Sequence, residues 1–267
     1  MQIEERIDTF ESHELEWMPQ NLKNLFREIL SWEQEMIGVY QAAAPLVQNW
    51  LRETQAGGIL DLCSGAGGPG VTLLNAVNAS GTGKIRLKLT DLYPATEVYA
   101  RLAGEGRGLI SYAAESFDAT NSHVDPKFPV RTLLSAFHHF SPQFARKILA
   151  DAVKNSNGIC IMDPFQRDWA HLFAVSFGAA AGSLVYPLLK QRTPLAFAAC
   201  NLSPVMGSMF LWDGFASVLR GYTPDELLQL TQVPECAEFT WEAGTWQYPA
   251  GLPVGGMTGV YLIGKRR

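Results

Sequence analysis

Cysteine is scarce and scattered. Cys63, Cys160, Cys200 and Cys236 are the four in 267 residues, and no two form a C-x-x-C pair. That spacing excludes a zinc knuckle and a disulfide framework and leaves reduced thiols as the expectation. Positive charge is thin as well, with 21 Lys and Arg against 26 Asp and Glu and a formal net charge of −5. Electrostatic nucleic-acid binding needs a basic face, so no nucleic-acid partner is expected. The terminal Lys265-Arg266-Arg267 is too little to change that. The opening MQIEERIDTFESHELE lacks the apolar run of a signal peptide, which predicts a cytoplasmic protein. Repeats and low-complexity segments are absent from the sequence.

What is present is apolar residue in quantity, 47% of the chain, enough core for one large α/β domain with an extension or insertion. The most informative stretch is Ile59 to Gly70, ILDLCSGAGGPG. An apolar run stops at a Gly-rich turn, and Val71, Leu74 and Val77 follow at helical spacing. Strand, glycine turn and helix N-terminus together make a nucleotide cradle, because free backbone N–H groups face a ligand that glycine lets approach. Gly65-x-Gly67-x-x-Gly70 also fits the dinucleotide fingerprint, so the glycines alone leave the ligand open. Asp61 narrows it. A carboxylate at the strand end can order the loop and meet a cationic ligand group, whereas a pyrophosphate would be repelled.

Further along, Lys84 to Asp91 alternates as a second strand after a Gly81-Thr82-Gly83 turn. It ends in Asp91, placed to accept hydrogen bonds from a ribose diol, with Leu92 and Tyr93 beside it for a purine face. Leu109 to Tyr112 reads as a third strand and Arg131 to Phe137 as a fourth, delivering His138-His139. Ser141-Pro142 starts a helix over Gln143 to Lys154, and Gly158 to Pro164 is a fifth strand carrying Asp163. Alternating strands and helices over 58–165 predict a parallel sheet with ligands at the carboxyl ends of its strands. Glu238 to Trp246 and Gly259 to Gly264 form a closing strand pair joined by a Pro/Gly-rich loop.

The stretch around Asp61 resembles motif I of the class I, Rossmann-like SAM-dependent methyltransferases, with Asp61, Gly65 and Gly67 on the family's main positions. It departs from the common form in carrying Cys63-Ser64 where Gly-Cys is usual. Asp118-Ala119 resembles the family's adenine-amine contact, and the closing strand pair resembles its antiparallel seventh strand. The resemblance implies S-adenosyl-L-methionine as cofactor and S-adenosyl-L-homocysteine as product, with Asp61, Cys63, Gly65, Gly67, Asp91, Leu92, Asp118 and Ala119 as cofactor contacts. It implies an α/β fold with a seven-stranded, mostly parallel sheet flanked by helices. His-His after the fourth strand resembles members that methylate quinone-like rings, with His138 or His139 as a general base. No metal site is expected, since adjacent histidines seldom converge on one ion and no acid cluster lies nearby in sequence.

Two segments lie outside that resemblance. Residues 1–56 read as an N-terminal helical extension or lid before the domain over 57–267, helical from Leu22 to about Arg52. Residues 166–222 read as an apolar helical cap after the fifth strand. Leu172 to Leu189 is uncharged, Lys190-Gln191-Arg192 interrupts, and Thr193 to Trp212 is uncharged again. A membrane span is possible by length alone. Membrane-surface contact through 171–212, or a cap or homodimer contact using Gly178 and Gly182, fits the composition better. A greasy cap predicts a lipophilic or aromatic small-molecule acceptor, with Asp163 and a turn at Trp212-Asp213-Gly214 touching it. The alternatives are an NAD(P)-dependent oxidoreductase and a non-catalytic, membrane-associated binding protein.

Overall fold

A computed structural model of the chain describes residues 2–80, 84–190, 193–249 and 256–267. The expected turn at Gly81-Thr82-Gly83, the Gln191-Arg192 break and most of the loop between the last two strands lie outside them. The strands are β1 (Gly58–Leu62), β2 (Arg86–Leu89), β3 (Ile110–Tyr112), β4 (Val130–Leu134), β5 (Gly158–Asp163), β6 (Phe239–Pro249) and β7 (Gly256–Arg266). They form a seven-stranded sheet in the order β3-β2-β1-β4-β5-β7-β6. The first five are parallel, and β7 inserts antiparallel between β5 and β6. The order reverses between β1 and β4, where an open sheet leaves a crevice at its carboxyl edge.

β1, β4 and β5 are buried at every residue, as a strand covered on both faces must be. On one face lie α2 (Val39–Glu53), α3 (Gly68–Ser80) and α4 (Thr96–Glu105), with Tyr40, Trp50 and Tyr99 in the core. On the other lie α5 (Pro142–Asn155) and α9 (Pro224–Leu230), with Phe137, Ile148 and Leu149. Trp50 is 1% exposed and its indole N–H reaches the Gly264 carbonyl at 3.1 Å. Its truncation to Ala would cost about 3–5 kcal/mol.

The N-terminal region departs from one continuous helix. Gly38, at φ +70°, separates α1 (Gln20–Met36) from α2. Only glycine takes that backbone without strain, and it lets the two helices do different work. α2 packs on the sheet, and α1 sits over the glycine loop, where a Cβ on Gly68 would fall 1.5 Å from Ser31 Oγ. Residues 2–19 form an extended strap with one 3-10 turn at Ser12–Glu14 instead of a helix. The buried Arg167 guanidinium fixes the start of the strap through the carbonyls of Ile3 and Glu4 and is itself paired with Glu226.

The apolar cap is α6 (Trp169–Leu189), α7 (Pro194–Phe197) running into a wider turn over Ala198–Leu202, and α8 (Val205–Arg220). Trp212-Asp213-Gly214 lies inside α8 and is not a turn. Close helix contact comes from Gly182, as expected, where a Cβ would stand 2.2 Å from Glu33 Oε1 of α1, and from Gly214, where one would stand 2.7 Å from Ser176 Cα; Gly178 faces open space. α6 is long and apolar enough to cross a membrane, and it also packs against α8 and α1. Along it Phe173, Phe177, Leu188 and Leu189 are exposed.

Candidate active site

A cavity of about 1370 Å³ opens at the crevice above β1 and β4, walled by α1, α6 and α8. At one end the glycine loop forms its floor. Cys63, Gly65 and Gly67 all take positive φ (54°, 55° and 78°), so the chain turns tightly from β1 into α3. Asp91 anchors this turn by accepting from Gly65 N–H and Tyr93 N–H, both at 2.9 Å. Cys63, Gly65, Asp91, Leu92 and Tyr93 line the cavity.

Asp61 does not line it. The side chain is 1% exposed, accepts from Ser64 Oγ at 2.7 Å and from Thr132 Oγ1, and presses against Gly70, where a Cβ would meet it at 2.8 Å. Burial pushes its carboxyl up to about 6, with Asp91 adding to the rise and the two hydroxyls opposing it. Its observed work is loop order, without direct contact to the cavity. Gly67 also faces inward, toward Leu89 and Leu102. Asp118 and Ala119 do not line the cavity, and the Asp118 carboxylate closes a turn on Thr120 N–H and Oγ1 at 2.8 Å.

The other end is built by side chains from four distant segments. β4 stops at Leu134 because Ser135 turns to φ +53°, and Phe137–His139 forms a 3-10 turn rather than a strand end. The histidines therefore do not point apart. Their rings lie 4.2 Å centre to centre and both line the cavity. His138 donates its Nδ1–H to Asp163 at 2.9 Å, and its backbone N–H reaches the same carboxylate at 3.1 Å. Asp163 holds His138 from behind and does not itself line the cavity.

The strap, with Ser217 and Arg220 of α8, supplies what sequence reading missed, while Asp213 was expected to face the site. His139 Nδ1 donates to Glu14 at 2.8 Å, and Glu14 also takes Arg220 at 3.0 Å. Glu11, 2% exposed, sits among His138 Nε2 at 3.6 Å, His139 Nδ1 at 3.7 Å and the Ser217 hydroxyl at 2.9 Å. Asp213 lines the cavity and ties the strap down through Ser12 N–H and Oγ at 2.6 Å and His13 at 3.0 Å. Trp212 stands outside, 43% exposed, clamping the strap through Phe10 O at 3.1 Å. The polar positions in FESHELE and the WDGFASVLR run were visible in the sequence, but 200 residues separate them and no local pattern joins them.

The electrostatics separate the two histidines. Burial pulls His138 down, but Asp163 and Glu11 outweigh it and push the imidazole up to about 9. Burial is the largest influence on His139 and, with the neighbouring His138 and His13, outweighs the help from Glu11 and Glu14, leaving it below the usual range. At neutral pH the first is an imidazolium and the second a neutral imidazole with its Nδ1–H on Glu14. Burial works against Glu11 too, yet the three histidines hold it well below the usual carboxylate range.

Among the described residues, Glu11-His138-His139 and Glu11-His13-Asp213 bring ligand-type atoms within 4.8 Å of one another. This is the acid cluster that the sequence did not reveal. Each carboxylate already has partners in Arg220, Ser217 or Ser12, so the group is satisfied as an ion-pair network.

The sheet order, with an antiparallel strand between the fifth and the edge, defines the fold of the class I, Rossmann-like SAM-dependent methyltransferases. No protein-family model and no curated protein matches the sequence. Solved structures do match in shape. The plantazolicin methyltransferase BpumL in complex with SAH aligns at TM-score 0.57 and 14% identity over 94% of this chain and 93% of its own. Magnesium protoporphyrin IX methyltransferase from Synechocystis PCC 6803, with bound SAH, aligns at 0.51 and 11% over 93% and 95%. The O-methyltransferase NcsB1 of neocarzinostatin biosynthesis, complexed with SAH and 1,4-dihydroxy-2-naphthoic acid, aligns at 0.51 and 16% over 91% of this chain and 58% of its own.

Proposed function

We propose that this protein is a SAM-dependent methyltransferase acting on a lipophilic or aromatic small molecule. One observation carries the reading: a single cavity joins the glycine loop and Asp91 to an apolar chamber that ends at His138 and His139. The glycine-loop end fits the cofactor. Asp91 offers a carboxylate for a ribose diol, and Leu92 and Tyr93 offer apolar surface for adenine. Gln34 in the same wall has a buried, unpartnered Oε1, an acceptor suited to an ammonium group. S-adenosylmethionine supplies a methyl group on a good leaving group, so the chain's own task is alignment and proton removal. The three neighbours are SAH-binding methyltransferases, which supports the same cofactor here.

His139 is the proposed base. Its Nδ1–H is occupied by Glu14, which leaves a neutral Nε2 to take a proton from an acceptor hydroxyl. His138 is the proposed fixed positive charge, stabilising the oxygen as it loses that proton. Asp163 and Glu14 are positioning residues. The apolar acceptor is supported by the greasy walls of α1 and α6 and by Phe173 and Phe177, which line the cavity while half exposed. The exposed face of α6 also supports peripheral contact of a cytoplasmic protein with a membrane surface. Nothing in the strand order favours a nicotinamide enzyme.

Calorimetry with SAM and SAH, followed by labelled-methyl transfer into lipid and metabolite extracts, tests the proposal. Binding of both compounds and a labelled product soluble in organic solvent are expected. Binding of neither compound ends the proposal, and vesicles that fail to sediment the protein end the membrane part alone.

A further inference from the structure

One charged group in the cavity has no role in the chemistry or in the fold. Glu33 lies on α1, in the cavity wall with Leu30, Phe26 and Ile37. Its Oε1 is completely covered and has no hydrogen-bond partner. Lys23 and Arg27 line the same cavity, but neither forms an ion pair with Glu33. An unsatisfied buried polar atom costs stability, so a ligand that satisfies it gains what the fold gives up.

The opposite helix is shaped around this side chain. A Cβ on Gly182 of α6 would stand 2.2 Å from Glu33 Oε1 and 2.9 Å from its Cδ. Only glycine leaves the slot in which the carboxyl group lies. Around the slot the wall is apolar, with Phe177, Gly178 and Ala181 of α6, and Cys200 is also near. Burial raises the carboxyl well above its ordinary range. Glu33 also lines the cavity, and a positive group placed there beside its carboxyl favours the carboxylate and offsets its burial.

We propose that Glu33, seated in the Gly182 notch, recognises a cationic nitrogen on the acceptor, so that the acceptor is a lipophilic amine. This rests on the methyltransferase reading and names its substrate class. An ammonium has no lone pair, so the nitrogen held by Glu33 is a handle. The methylated atom is another atom of the same molecule, presented to His139.

The probes are n-decylamine and n-decanol, matched in chain length and differing in charge, titrated into the whole protein with and without SAH. The wild type should bind the amine roughly tenfold more tightly than the alcohol. Glu33→Gln should abolish that preference and leave SAH binding intact. Gly182→Ala, which displaces the carboxyl group without changing charge, should weaken it in the same direction and serves if Glu33→Gln folds poorly. Equal binding of the two probes by the wild type overturns the proposal, as does a preference that survives both substitutions. Loss of SAH binding in the wild type would instead strike the methyltransferase reading, since the amine preference is also measured without SAH.

Discussion

The two ends of the cavity are built in opposite ways. The glycine-loop end is made mostly of backbone from two short stretches, 63–69 and 91–93, next to each other across β1 and β2. The histidine end is made of side chains from residues 11–14, 138–139 and 213–220, held by ion pairs over the carboxyl ends of β4 and β5. A backbone site is set by φ angles and tolerates change outside its glycines. A side-chain site depends on each partner, because removing one leaves another charge buried and unpaired.

That contrast can be broken by substitution. The largest effect is expected at Gly67, where φ is +78° and a Cβ would press Leu102 at 2.8 Å. Gly67→Val should abolish SAH binding by calorimetry and leave no transfer, whereas Cys63→Ala should bind within a few-fold of wild type. Next comes His139→Gln, for which kcat should fall about 10²–10⁴-fold with SAH affinity unchanged. If SAH affinity falls equally, the two ends are not separable. The pH profile of the wild type sharpens the same point. Activity should decline on the acid side, below the ordinary histidine range, as His139 gains a proton, and decline again near pH 9 as His138 loses its own.

The smallest effect concerns Asp61, which serves the glycine loop through its buried hydrogen bonds. Its folded pKa of about 6 exceeds the ordinary aspartate value of 3.8, so between these limits the native state binds more protons than the unfolded chain. Stability from this group is therefore greatest in acid and falls as pH rises from about 4 to about 6, by roughly 2–3 kcal/mol at most. Asp61→Asn should flatten that part of the curve of urea midpoint against pH. An unchanged slope would mean that Ser64 and Thr132 carry the charge without cost.

The ease of reading follows the same division. The individual strands, the glycine turn and Asp91 were legible because each is local, an apolar run followed by a residue type with one conformational use. Asp61 was legible as a loop organiser but not as a residue sealed behind Ser64 and Thr132, because sequence does not show which way a strand-end side chain turns. The histidines were misplaced on a strand because Ser135 adopts a left-handed backbone that a serine rarely takes. Glu11 and Glu14 were illegible as site residues, since the strap that carries them has no periodicity and acquires its course only from Arg167, Asp213 and Arg220. Trp212 was overread, as a large aromatic at the end of an apolar run has many surfaces to cover.

The Glu14–Arg220 pair also orders events in time. The Asp91 contacts that hold the glycine loop span at most 26 residues, so they can form early, from near neighbours. The other half depends on a contact that closes 206 residues, between the strap and α8. Contacts of such range are slow to find and belong to late folding steps. A partly folded chain can therefore possess a formed glycine loop while His139, Glu14 and Arg220 are still apart.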